Sequence, residues 1–188
     1  MHNRILGAVV AVFGSLSASV ALAQNMTLTS AEVSDGSTIK DAQVANVFGC
    51  KGGNISPSLT WSGAPFDTKS FAITVFDPDA PTGSGFWHWV VFNIPASTTS
   101  IPANAGDVKK KLMPKGAIQS RTDFGFDGYG GPCPPQGDKP HHYIFTVYAV
   151  DEEKLQFAKD HNVSAAVVGF ELHFHGKAKA TLTATYGR

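Results

Sequence analysis

Two short segments, far apart in the chain, hold most of the side chains able to do chemistry. The first is Asp77-Pro78-Asp79-Ala80-Pro81, with His88-Trp89 shortly after it. The second is Gly130-Gly131-Pro132-Cys133-Pro134-Pro135-Gln136-Gly137, followed by His141-His142-Tyr143. Imidazole and phenol groups donate hydrogen bonds, and glycine lets backbone N–H groups approach a ligand closely. Gly128, Gly130 and Gly131 are the candidates for that approach. Pro132, Pro134 and Pro135 carry no N–H and restrict the second segment before any ligand arrives, which lowers the cost of ordering it. This inventory suits holding an anion better than it suits a common catalytic constellation. Asp77, directly after an apolar run, is the candidate pocket carboxylate and the group expected to orient His88. Asp79 reads as a turn cap acting on backbone N–H groups. On a strand, His141 and Tyr143 share one side and His142 takes the other.

Two other chemistries compete with anion binding. Asp77, Asp79, His88, His141, His142, His173 and His175 are types that ligate metals in a hydrolase. His173 and His175 are nevertheless two apart near an expected helix end, where such residues do not share a face. There is no H-E-x-x-H and no G-x-S-x-G, and no nucleophile with an evident base. The reading is non-enzymatic and calls for no metal and no cofactor. An interaction module that inhibits an extracytoplasmic enzyme is the second alternative.

The elements that must position these groups are mostly strands. Residues 70–76, 87–94 and 143–150 are rich in β-branched and aromatic types, and each of the first two ends at a proline. Their near-continuous apolar character points to central strands covered on both faces. Short strands are expected at Met26–Leu28, Glu32–Val33 and Leu59–Trp61, and a closing strand at 177–186. Ser164 is placed to cap a helix running to about His173 and ending before Gly176. Asp151–Leu155 reads as the start of a second short helix. Residues 96–142 show little periodicity, and long irregular segments in a compact domain are often functional.

The first 23 residues read as an export signal, with Arg4 at its start, an apolar run from Ile5 to about Val20, and Ala21-Leu22-Ala23 as the cleavage site. The chain without it, 24–188, has the size of one ordinary domain. It carries no later run long enough to span a bilayer. The sequence has 15 Lys and Arg against 15 Asp and Glu. That balance gives no reason to expect nucleic acid or an anionic membrane as a partner. Lys109-Lys110-Lys111 reads as a solvated loop. Cys50 and Cys133 are an isolated pair outside any C-x-x-C motif, which in an oxidising compartment reads as a disulfide. The expected location is periplasmic or secreted.

The two segments, together with Asn54-Ile55-Ser56-Pro57, Gln119-Ser120-Arg121-Thr122-Asp123-Phe124-Gly125 and the ending Tyr186-Gly187-Arg188, resemble the phosphatidylethanolamine-binding protein family, in its bacterial Raf kinase inhibitor-like branch. The resemblance covers about 26–188. It implies a mainly β, sandwich-like fold with a few short peripheral helices and a small anion pocket at one end of the large sheet. Carried over residue by residue, it places the pocket on Asp77, His88, His141 and Tyr143. It puts backbone donors near Gly131 and Cys133, and walls at Pro81, Pro134 and Trp89. Cys133 departs from the glycine usual there in the animal proteins, and a bond to Cys50 would fasten the pocket loop. The implied ligand is a phosphate or phospholipid head group. Relatives that inhibit kinases or proteases imply a protein partner outside the cytoplasm, and related bacterial proteins imply a homodimer.

Overall fold

The three long apolar runs become neighbouring strands of one sheet. The computed structural model describes residues 25–188, so the expected leader lies outside the described residues. Strands β1 (Thr27–Thr29), β2 (Leu59–Ser62) and β5 (Ser100–Ile101) form a small antiparallel sheet in the order β1-β2-β5. Strands β3 (Ser70–Asp77), β4 (Phe86–Pro95), β6 (Ile118–Gln119), β7 (His141–Val150) and β8 (Gly176–Tyr186) form the large sheet in the order β6-β4-β3-β7-β8. All its pairings are antiparallel. The mainly β expectation holds, and neither sheet closes into a barrel.

Both faces of the large sheet are covered, which is why its central strands read as unbroken apolar runs rather than as alternation. One face packs Phe71, Ile73, Val75, Trp89, Tyr143 and Phe145 against Leu28, Leu59 and Trp61 of the small sheet. The other packs Ala72, Val90 and Phe92 under Val168 and Leu172 of helix α1 (Ala165–His175). Ser164 caps α1 as expected, its Oγ accepting from the Val167 N–H. Gly176 follows the helix because a Cβ there would stand 2.5 Å from the Leu172 carbonyl oxygen.

Two expected elements are absent, and in both places a carboxylate has taken over the backbone. Glu32–Val33 is not a strand. Instead Glu32 accepts from the Ser58 N–H at 2.8 Å and from its hydroxyl at 2.7 Å. Burial raises the Glu32 pKa, but these bonds and one from Ser30 outweigh it and hold the carboxyl below its usual range. Asp151–Leu155 is irregular rather than helical. The chain just beyond it is held by Glu171 of α1, whose buried carboxylate accepts from the N–H groups of Gln156, Phe157 and Ala158.

One irregularity aims a functional side chain. Val75 pairs with Trp89 but Phe76 pairs with Trp87, so β4 carries one extra residue, His88, at a bulge. Simple alternation would turn His88 with Val90 toward α1. A bulge re-aims the side chain at that point, and the His88 ring instead meets Tyr143 with centroids 5.1 Å apart. Trp87 then packs on the α1 side and Trp89 on the small-sheet side.

Candidate functional site

The ends of β3, β4 and β7 meet in a cleft of about 220 Å³ whose lining includes Asp77, His88, His141 and Tyr143. Asp77 is the last residue of β3 and is 2% exposed. Its Oδ2 accepts from His141 Nδ1 at 2.8 Å, and its Oδ1 accepts from the Asp79 N–H at 2.8 Å. The first contact orients the imidazole and the second shapes the proline-bounded turn. Asp77 was expected to orient His88. It orients His141 instead, because the bulge carries the His88 ring toward the second segment. There His88 Nδ1 lies 2.8 Å from the Gly130 carbonyl. A carbonyl only accepts, so Nδ1 carries the proton. Burial holds the His88 pKa below its ordinary value, and the Gly130 carbonyl and Asp77 only partly oppose this.

Tyr143 is fully buried, and its hydroxyl has no hydrogen-bond partner in the protein. Burial raises its pKa, and the Asp77 carboxylate adds to the effect by its charge and by drawing on the phenolic proton, although the two make no well-formed hydrogen bond. The hydroxyl is therefore neutral and available as a donor. As expected, His142 points the other way. It is exposed, and its N–H and Nδ1 meet Asp79 Oδ2 at 2.7 and 2.8 Å. Those two bonds hold the Asp79 carboxyl below its usual range despite a small opposing effect of burial.

The walls are apolar. Pro81, Cys133, Pro134 and Pro135 line it together with Phe48, Phe86 and Phe124. Phe48 is 71% exposed at the rim and stacks on Phe124 with centroids 5.8 Å apart. Cys133 is bonded to Cys50, as the isolated pair suggested, with Cα atoms 6.0 Å apart. Arg188 fastens the same loop, donating from Nε to the Pro134 carbonyl at 2.7 Å and from its guanidinium to Phe48 O at 3.3 Å.

Several expected contributors sit elsewhere. Trp89 is not a wall: it is fully buried in the core, with Nε1 donating to Gln119 Oε1 at 2.8 Å. Gly131 does not present a free donor, since its N–H is bound to Asn54 Oδ1 at 2.8 Å. The Gly130 N–H is taken by the His88 carbonyl at 2.9 Å. These glycines serve packing within the protein. A Cβ on Gly131 would stand 2.1 Å from the Gln43 carbonyl oxygen, and one on Gly130 would strike the Phe124 ring. Among the residues weighed as metal ligands, His175 alone joins a tight ligand-type group, with Asp151 and Glu152. Lys177 Nζ already sits 3.4 Å from Asp151 there.

The sequence reading missed Asp138, whose Oδ2 is 3.5 Å from His141 Nε2, and the aromatic rim of Phe48, Phe86 and Phe124. Asp138 is three residues before His141, a spacing that carries no meaning until the loop is seen to double back at Gly137, where φ is +89°. Larger clefts open beside α1 and along residues 108–119. Neither gathers buried polar side chains as this one does.

A family model described as phosphatidylethanolamine-binding protein matches residues 29–187. The chain belongs to the phosphatidylethanolamine-binding protein family. It is 50% identical over 186 residues to the Escherichia coli protein YbcL, covering 99% of this chain and 98% of that one. The crystal structure of E. coli YbcL, described as a new member of the mammalian family, superposes with a TM-score of 0.84 at 52% identity, over 87% of this chain and 99% of that one. A Chlamydia trachomatis homologue, described as a putative phosphatidylethanolamine-binding protein, gives a TM-score of 0.72 at 30% identity, over 88% and 99% of the two chains. Among the described residues no helix is long and apolar enough to cross a membrane.

Proposed function

We propose that this protein is a non-enzymatic binding protein acting outside the cytoplasm, and that the cleft between β3, β4 and β7 holds a phosphate or phospholipid-head-group-like anion. The observation that carries the reading is the Tyr143 hydroxyl, buried without a protein partner in the same cleft as His88 and His141. A buried hydroxyl left unpaired costs stability, and a bound oxyanion would satisfy it. The Cys50–Cys133 bridge supports an oxidising location. Removal of residues 1–23 on export belongs to the same reading.

The cleft is small and ends at an aromatic rim, which favours a head group over a whole lipid. Titration of the purified protein with phosphate, phosphoethanolamine and acetate, followed by NMR, tests the reading. Saturable shifts at His88, His141 and Tyr143 that vanish in His141→Ala are expected. Identical, absent responses in both proteins would overturn it. Modulation of a protein partner outside the cytoplasm would follow from ligand occupancy beside the exposed Phe48. Phe157, Phe170 and Phe174 make a separate exposed aromatic face on and beside α1. This face supports pairing of two copies, which light scattering would detect.

A further inference from the structure

The cleft is poor in positive charge for an anion site. Its lining includes no Lys and no Arg. Arg188 is not part of the lining; its Nε and one further guanidinium nitrogen donate to the Pro134 and Phe48 carbonyls. His141 has a carboxylate at each ring nitrogen, Asp77 at Nδ1 and Asp138 near Nε2. Any charge on that ring is therefore already matched inside the protein. Asp123 and Asp79 add negative field next to His88 and Tyr143. Among the lining residues an added anion meets no uncompensated cation.

The side-chain hydrogen-bonding inventory has the same bias. The Gly130 carbonyl fixes the His88 proton on Nδ1. In the neutral ring Nε2 is then a lone pair, an acceptor. An oxyanion without a proton would set its own lone pairs against that nitrogen, and Tyr143 would be the sole neutral side-chain hydroxyl offered by β7 to the ligand. An oxyanion that keeps a hydroxyl satisfies both: its O–H donates to His88 Nε2 while another oxygen accepts from Tyr143.

Building on the anion-binding reading, we propose that the cleft selects oxyanions that carry a proton. Phosphomonoesters would bind as monoanions, with one proton entering alongside the dianion at higher pH, while sulfate and phosphodiesters would be rejected. The proton stays on the ligand oxygen and is donated to His88 Nε2, which remains the acceptor. The ligand class is thereby narrowed to monoesters such as free phosphorylated head groups, and the diester of an intact phospholipid is disfavoured.

Calorimetric titration of the purified protein with methyl phosphate, dimethyl phosphate and sulfate tests this, between pH 5.5 and 8.5 and in two buffers of different ionisation heat. Methyl phosphate is expected to bind with proton uptake approaching one at high pH. Its affinity should fall about tenfold per pH unit above its second pKa of about 6. Dimethyl phosphate and sulfate should bind about 30-fold more weakly at pH 7, the cost of leaving a buried polar group unpaired. Binding of the three within threefold of one another, or no proton uptake by methyl phosphate, overturns the proton requirement and leaves the anion site standing. No binding of any of the three at any pH overturns the anion site itself.

His88→Gln offers an amide N–H where the lone pair was and should admit sulfate. Should that variant fail to fold, nitrogen NMR of the wild-type histidines decides the same point. A proton on Nδ1 and a bare Nε2 that shifts with methyl phosphate are expected. A proton found on Nε2 of free His88 overturns the proposal.

Discussion

His141 Nδ1 lies 2.8 Å from Asp77 Oδ2 with both side chains buried, so the last residue of β3 fixes the ring that opens β7. Removing one partner of a buried, hydrogen-bonded pair leaves the other without compensation. Asp77→Ala is expected to lower stability by about 3 kcal/mol or more and to abolish ligand shifts at His141. Urea denaturation and NMR titration measure the two effects separately.

Tyr143→Phe should separate binding from folding. The hydroxyl makes no well-formed hydrogen bond, only a loose approach to Asp77, so its removal should change stability by less than about 1 kcal/mol. Phosphate affinity should drop about tenfold, the worth of one hydrogen bond. Thermal melts with and without phosphate check both halves.

Burial depresses the folded-state pKa of His88, so the sign of its pH effect is fixed. Below about 6.5, the ordinary value for histidine, the unfolded chain binds a proton that the folded protein refuses. This contribution is fully present above that value and is lost as pH falls toward the lower folded pKa, with a slope of at most about 1.4 kcal/mol per pH unit. In denaturant titrations from pH 7.5 down to 5, His88→Gln should lose less stability than the wild type.

Glu171→Ala would strip three backbone N–H groups of their acceptor. The expected loss is about 3 to 5 kcal/mol, with faster hydrogen exchange confined first to residues 155–158. Replacing both cysteines by alanine removes a link that spans 83 positions. The chain-entropy model puts that loss at about 4 to 5 kcal/mol. Calorimetric unfolding under oxidising conditions would report it.

The long strands were legible because burial on both faces writes itself into composition at 70–77, 86–95 and 141–150. The pairing of His141 with Tyr143 on one side, opposite His142, followed from strand alternation alone. Alternation failed at His88, where a single inserted residue reverses which way the side chain points and nothing local announces it. The resemblance placed Trp89 in a wall, but its aromatic character fits a wall and a core equally well, and it lies in the core. Glu32 and Glu171 were unreadable for a shared reason: each binds backbone that lies distant in sequence, so neither leaves a periodic trace. The glycines were read for their freedom to approach a ligand, when close protein neighbours such as the Gln43 carbonyl account for them. Asp138 and Phe48 are recognisable only after the loops that carry them are folded over the cleft.

The Cys50–Cys133 bond divides the polar residues of the cleft into two classes. Asp77 and His88 lie within the covalent ring it closes, and His141 and Tyr143 lie beyond it. A protease cut at any peptide bond between the two cysteines therefore leaves a chain in one piece until it is reduced. Nicked molecules would run as intact on a non-reducing gel and as two fragments on a reducing one. Under oxidising conditions, loops such as the exposed Lys109–Lys111 can then be cleaved by a protease without the two sides of the cleft separating.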